Sequence, residues 1–551
     1  MIRTYFSHFI CIVYLFCICD QLNAQTKVYS LKDSLRGSMR TEREYDVTHY
    51  NLQIKVDIGK KFISGTNEIS FVGKTNSSEL QIDLFENMKI KHIKNGSKEL
   101  KYRRVFDAVF ISYPIKNNQS DKIIIEFEGN PIVAKNAPWD GGFIWTKDEE
   151  NNSWVAVACE GTGASLWWPN KDILSDEPEN MDITISVEKP YMAISNGRLI
   201  DQTNDGKKAT KYHWQVSYPI NNYNVTLYIG KYSNFSEEIT TLSKEKLKLN
   251  YYVLTPHLEK AKEHFKQTAK VLESYEYYCG TYPFIKDGYA LVEAPYLGME
   301  HQSAIAYGNK FQRGYNGGRI PDNMNFDYLI VHESAHEYWG NSVSCTDHAD
   351  MWLHEGFATY MESLYVEYLF GKEEGLKYLD LQRPFIKNDA PLLGPKGVNY
   401  TDNTLDIYYK GAWVLNTIRQ SLANDTLWFD IFRGFYDQHK MGFATTKDFV
   451  DYLNLKSGRD FSAFLRQYLK YKPIPKLIYS INHRDTYTGI KYKWDCYEHD
   501  FYLPVEFDLD GKKIRLEPNS DWKNIEFNRN FKSVKPRTKG LLIDVVEQKS
   551  E

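Results

Sequence analysis

His332-Glu333-Ser334-Ala335-His336 puts two imidazoles four residues apart, with a carboxylate beside the first. Residues four apart share one face of a helix, so His332 and His336 can converge on a single metal ion. Glu333 lies beside them and can reach a water at that ion without being a ligand, the position of a general base. After eighteen intervening residues, Trp352-Leu353-His354-Glu355-Gly356-Phe357-Ala358 offers Glu355 as a third ligand. Two imidazoles and one carboxylate leave a fourth position for water, as a catalytic zinc site requires, and the expected cofactor is one Zn2+ per chain. A structural zinc would fill all four positions with protein. The nearest alternative ligands are His348 and His354, and His354 would have to compete with Glu355 from a different helix face. A carboxylate hydrogen-bonded to a ligand histidine is expected, and the sequence leaves its identity open. Attack of water on an amide builds negative charge on the carbonyl oxygen, which needs a donor. Ile407-Tyr408-Tyr409-Lys410-Gly411 supplies one, and the residues alone leave Tyr408 and Tyr409 undistinguished.

These groups need elements to hold them. Asn325 or Asp327 can cap the helix that carries His332. Helical stretches are predicted near 353–370, 372–383, 410–424, 428–439, 445–456 and 460–470, punctuated by Gly371, Gly442 and Gly458. From residue 45 to about 255 the chain reads as strands. Tyr50, Leu52, Ile54 and Val56 alternate with polar residues, Ile123–Phe127 and Ile183–Val187 are apolar runs, and turns fall at Asn95-Gly96, Asn196-Gly197 and Asp205-Gly206. Beyond Pro473 and Pro475, Phe501–Asp508 and Gly540–Val545 read as strands of a small β domain. The fold class is multidomain α+β.

At 551 residues the chain is long enough for several domains and for a large apolar core. A net charge near −4 over that length gives no basic footprint for nucleic acid. Residues 1–24 read as a secretory signal: Arg3, an apolar run from Phe9 to Ile18, and Leu22-Asn23-Ala24 before Gln25. The expectation is export to the periplasm or the extracellular space, with no stable membrane insertion after cleavage. Cys159, Cys279, Cys345 and Cys496 remain, far apart and without a CxxC pair, so one disulfide or none is expected. Oligomeric state is not readable.

The motifs resemble the gluzincin metalloaminopeptidases of the aminopeptidase N and leukotriene hydrolase family. The run His332 to Asn341 matches that family's extended zinc motif, and Trp352 to Ala358 its partner, with His354 where Asn is usual. Leu297-Gly298-Met299-Glu300-His301 matches the exopeptidase motif Gly-x-Met-Glu-Asn, with His301 in place of Asn. The resemblance implies that Glu300 binds the free α-amine of the substrate, with Gly298 and Met299 lining its site. It aligns Tyr-x-Lys-Gly on Tyr408, Lys410 and Gly411, which favours Tyr408 over Tyr409. It also implies that Glu160, in Ala158-Cys159-Glu160, helps close the amine pocket, although Ala158 replaces the usual Gln. The implied division is a signal at 1–24, an antiparallel β domain at 25–255, a thermolysin-like domain at 256–473 and a small β-sandwich-like domain at 474–551. The family's large C-terminal helical domain is not expected here, which implies a more open cleft unless the segment 372–410 or another molecule covers it. The implied function is hydrolysis of the N-terminal residue from peptides with a free N-terminus. The competing readings are a zinc endopeptidase or other zinc hydrolase, and an inactive secreted binding protein on the same scaffold.

Overall fold

A computed structural model describes residues 28–30, 32–33, 43–400, 404–484 and 486–549. The expected signal at 1–24 lies outside the described residues. The strand pattern read after residue 45 is present. Tyr45–Asp57 buries Tyr50, Leu52, Ile54 and Val56 and turns Gln53 and Lys55 outward. It pairs antiparallel with Phe62–Gly73 and parallel with Asn180–Glu188, inside an eight-stranded sheet that is otherwise antiparallel. A four-stranded sheet lies beside it. Its strand Ser153–Ala158 ends two residues before Glu160.

Among the described residues, the catalytic half is built from a five-stranded mixed sheet and nine α-helices. In spatial order the strands are Tyr232–Thr240, Lys246–Leu254, Tyr289–Glu293, Ile305–Tyr307 and Gly298–Met299. The hairpin 232–254 therefore belongs to the same sheet as 289–293, paired in parallel through Leu249 to Tyr252. The boundary expected at residue 255 falls within this sheet, because strand alternation is read identically on either side of a domain border. The helices are α1 (Leu258–His264), α2 (Thr268–Cys279), α3 (Tyr328–His336), α4 (Trp352–Phe370), α5 (Lys372–Gln382), α6 (Asp406–Leu422), α7 (Asp425–His439), α8 (Thr446–Ser457) and α9 (Ser462–Lys470). The stretch from 353 to 470 is helical in the pieces its glycines and apolar spacing predict. The exception is α6, which starts four residues earlier than expected and so takes Tyr408 into its first turn.

Residues 476–547 form a four-stranded and a three-stranded sheet, joined face to face where the rings of Tyr479 and Phe507 meet at 5.5 Å. Two predicted strands there are shorter than expected. Pairing starts at Val505 and at Asp544. Leu541 to Ile543 instead dock on the catalytic helices, with Leu542 bonded to Thr417 Oγ1 and to the Tyr468 hydroxyl. Apolar residues of that run are buried by tertiary packing and not by a ladder. The cysteines at 159, 279, 345 and 496 are all free thiols. Among the described residues no helix is long and apolar enough to cross a membrane.

Candidate metal centre and amine pocket

Asp327 caps α3, its side chain accepting from the Leu329 N–H at 2.9 Å. The same carboxylate takes the Tyr307 hydroxyl and the Asn309 amide, each at 2.8 Å, which ties α3 to the sheet. Helix periodicity then brings His332 and His336, one turn apart, to the same side with Nε2 atoms 3.2 Å apart. Glu355, in the first turn of α4, brings Oε2 to 3.4 Å from both. A point equidistant from the three atoms lies about 2 Å from each, the length of a zinc–nitrogen or zinc–oxygen bond.

The ring orientations suit this use. His332 Nδ1 meets Glu362 Oε1 at 2.7 Å and His336 Nδ1 meets the Trp339 carbonyl at 2.9 Å. Both acceptors favour hydrogen on Nδ1 and leave the Nε2 lone pairs facing the common point. Glu362 is itself fixed by the Tyr378 hydroxyl and the Gln382 amide, both at 2.7 Å. Glu355 Oε2 is buried and has no hydrogen-bond partner, an expensive arrangement for a carboxylate unless a cation completes it. The donor set fits zinc. Of the alternatives, His354 accepts the Cys345 N–H at Nε2 and is buried away from the centre. His348 lines the cavity but is not in the converging group.

The centre opens into a cavity of about 550 Å³ that also receives Glu160, Met299, Glu300, Glu333 and Tyr408. Gly298 lies on the edge strand directly over α3. A Cβ there would collide with Leu329 and sit 2.6 Å from Glu333 Oε1, so only glycine lets the strand approach. Glu300 follows it, buried, and accepts the Tyr223 hydroxyl at 3.0 Å. Its carbonyl takes the Asn341 amide at 2.7 Å. Glu160 reaches the same cavity from the N-terminal domain and is half-buried.

Four carboxylates thus share one cavity. Burial, then the charges of Glu300, Glu355 and Glu333, pushes Glu160 well above the ordinary range. Burial also raises Glu300, and takes Glu333 up to about 8 against the pull of His332 and His336. Against the upward push of burial, His336 and His332 hold Glu355 well below that range. Such a cluster calls for positive charge at two places, the His-His-Glu centre and the Glu160–Glu300 side.

Tyr408 stacks on His332 with ring centroids 5.9 Å apart. Burial, and then the charges of Glu355 and Glu160, keeps its hydroxyl protonated far beyond neutral pH, so it retains a proton to donate. Its placement rests on two glycines: a Cβ on Gly411 would sit 2.8 Å from Gly356 Cα, so α4 and α6 touch backbone to backbone. Tyr409 turns instead towards Phe385, at 5.4 Å between ring centroids. Lys410 is structural. Its ammonium donates to the Tyr471 and Lys472 carbonyls at the end of α9.

The site residues named from the sequence, His332, Glu333, His336, Glu355, Gly298, Met299, Glu300, Glu160 and Tyr408, all border this one cavity. His301 does not. It is buried behind it, bonded to the Tyr228 hydroxyl at 2.7 Å, and so shapes the pocket only indirectly. Glu362, Tyr223 and Tyr328 were not singled out. Tyr328 stacks on the other side of His332, 5.4 Å away and nearly parallel. Glu362 had a signal: it stands seven residues, two helical turns, after Glu355.

Comparison with known proteins agrees with this geometry. The Peptidase M1 N-terminal domain matches residues 46–223, and the Peptidase family M1 domain matches residues 258–468. Endoplasmic reticulum aminopeptidase 1 of Mus musculus is 22% identical over 71% of this chain and 44% of its own length. Probable aminopeptidase 2 of Sulfurisphaera tokodaii is 24% identical over 81% of this chain and 57% of its own. The chain thus spans about half the length of these curated relatives. Among solved structures, a mutant M1 zinc metallopeptidase of Deinococcus radiodurans bound to a Tyr-Ser-Ala substrate superposes with a TM-score of 0.66 at 19% identity, covering 81% of this chain and 98% of that one. The two domain matches together take in most of the chain and meet at the cavity that carries the converging donors, and the chain belongs to peptidase family M1, whose metal is zinc.

Proposed function

We propose that this protein is a zinc-dependent aminopeptidase that removes the N-terminal residue from peptides. The observation that carries the reading is Glu160 and Glu300 facing the cavity of the His332–His336–Glu355 centre, because two carboxylates beside a hydrolytic metal site fit a substrate ammonium group. His332, His336 and Glu355 would hold the zinc. Bound there, zinc would polarise the scissile carbonyl and make a water acidic enough to attack at neutral pH.

The remaining chemistry belongs to the chain. Glu160 and Glu300 grip the α-ammonium, and the Tyr223 hydroxyl keeps the Glu300 carboxylate turned into the pocket. An ammonium held there would set the first peptide bond at the centre, and the product would be a single amino acid. Glu333 accepts a proton from the attacking water and returns one to the leaving amine. The Tyr408 hydroxyl donates to the carbonyl oxygen as negative charge develops on it.

Aminoacyl fluorogenic substrates test this. Turnover should vanish with a chelator, return with zinc, and be lost when the α-amine is acetylated. Cleavage of acetylated peptides at undiminished rate would instead make the protein an endopeptidase. Glu333→Gln should retain zinc by metal analysis and lose at least about a thousandfold in kcat. We propose also that the chain is exported, from the apolar run after Arg3 and the Leu22-Asn23-Ala24 site. A mature protein beginning at Gln25 by mass spectrometry would support it, and an intact Met1 would refute it.

A further inference from the structure

A second cavity of about 360 Å³ adjoins the first and shares four residues with it: Tyr315, Arg319, Tyr328 and Tyr409. Glu160 and Glu300 border the first cavity alone. The two cavities thus lie in sequence. The carboxylates that fit an amine are in the first, and an arginine stands at the junction with the second.

Arg319 is built for a role there. Its guanidinium lies over Tyr315 at 4.5 Å and over Phe385 at 5.2 Å from the ring centroids. Rings hold the guanidinium plane while leaving its N–H edge free. Among the described residues no carboxylate comes within 4 Å of it. Asp322 borders the second cavity but not the first. The Arg319 backbone has φ 59°, in the left-handed region that an arginine rarely adopts. That conformation is imposed by a tight loop: Gly314 and Gly317 also have positive φ, and Tyr315 and Gly318 exchange backbone hydrogen bonds. The Arg313 guanidinium ties the loop to the Pro321 and Met324 carbonyls. A cation on a strained backbone, bordering both cavities and without a carboxylate partner among the described residues, points to a binding role.

We propose that Arg319 binds the C-terminal carboxylate of short peptide substrates, so that the enzyme measures a peptide between its two charged ends. This rests on the aminopeptidase reading, which places the amine at Glu160 and Glu300. Ring contacts carry from His332 to Tyr328 at 5.4 Å, from Tyr328 to Tyr315 at 5.5 Å, and from Tyr315 to the Arg319 guanidinium at 4.5 Å. The guanidinium therefore lies within about 15 Å of the His332 ring. An extended chain covers about 3.3–3.6 Å per residue. The carboxylate reached is thus that of a peptide with one to about four residues beyond the cut.

Binding to zinc-loaded Glu333→Gln protein, measured by calorimetry, separates the possibilities without turnover. Free-acid peptides of two to five residues should bind about tenfold more tightly than their C-terminal amides, and the advantage should shrink in octapeptides. Arg319→Ala should abolish that difference, and Arg319→Lys should restore part of it. In otherwise wild-type protein, Arg319→Ala should raise KM for the free-acid peptides and leave an aminoacyl anilide, which has no carboxylate, unchanged. Equal affinity for acids and amides would overturn the proposal. So would an equal loss on the anilide. Restoration of tight binding by an amidated peptide with an internal Asp or Glu, but not by the free terminus, would assign Arg319 to acidic side chains and also overturn it. If acetylated and free-amine peptides were cleaved alike, the aminopeptidase reading would fall instead, which the acid–amide comparison does not touch.

Discussion

His332 is clamped on three sides: Tyr328 and Tyr408 stack on its ring, and Glu362 takes its Nδ1. Its aim at the metal point depends on the last of these. Glu362→Gln keeps the volume but weakens the acceptor, so zinc affinity should fall about 10- to 100-fold in competition with a chromophoric chelator. Unchanged affinity would show that the aromatic clamp suffices. The seven-residue spacing from Glu355 places Glu362 on the same face of α4, but the hydrogen bonds from Tyr378 and Gln382 of α5 to its other oxygen leave no mark in the sequence. His301 carries a different lesson. Burial pushes its imidazole from 6.5 down to about 3. The unfolded chain takes up that proton below about 6.5 and the folded one does not. Stability from this site is therefore complete above about 6.5 and lost as pH falls towards 3. His301→Asn removes the titration, so its Tm should drop less than that of the wild type between about pH 7 and pH 5. Parallel drops in the two proteins would refute this.

At the scale of elements, two close approaches assemble the chemistry. The strand Gly298–Met299 lies against α3, and α4 crosses α6 with Gly356 on Gly411. Gly411→Ala would force the helices apart, at a cost of about 1–3 kcal/mol in denaturant unfolding. Tyr408, three residues earlier on the same helix, would move with α6. The variant should therefore lose kcat while retaining zinc, and intact kcat would show that Tyr408 is held by its neighbours and not by the crossing. The helices themselves were legible, since Gly371, Gly442 and Gly458 separate apolar stretches of period 3.6. The start of α6 was not. Leu405 and Asp406 give no strong capping signal, and α6 has no side-chain cap.

At the scale of the whole molecule, the proposed amine pocket is shared between domains. Glu160 and Tyr223 come from the N-terminal domain and Glu300 from the edge of the catalytic sheet. Asn224 joins them: its amide donates to Asn341 Oδ1 at 2.5 Å, and the Asn341 amide holds the Glu300 carbonyl. Asn341 is anchored in turn on Glu337, which also accepts the Ser303 N–H at 3.0 Å and the Tyr282 hydroxyl. Asn224→Ala should raise KM for free-amine substrates about fivefold, with kcat and zinc content unchanged. A fall in zinc content would mean that the interface supports the metal centre and not the pocket.

The sequence by itself determined the metal centre and the alternation of strands and helices, because both are periodic. Histidines four apart on a helix must share a face, and a strand that buries one side must alternate. It also placed Glu355 and Glu300 in short motifs whose spacing is local. Tertiary packing alone sets which carboxylate steadies His332, which of two adjacent tyrosines stacks on that histidine, that the hairpin 232–254 joins the catalytic sheet, and that Arg319 stands where two cavities meet. Each of these depends on contacts between segments 30 or more residues apart or on a rotation about one helix axis, and neither leaves a period in the chain.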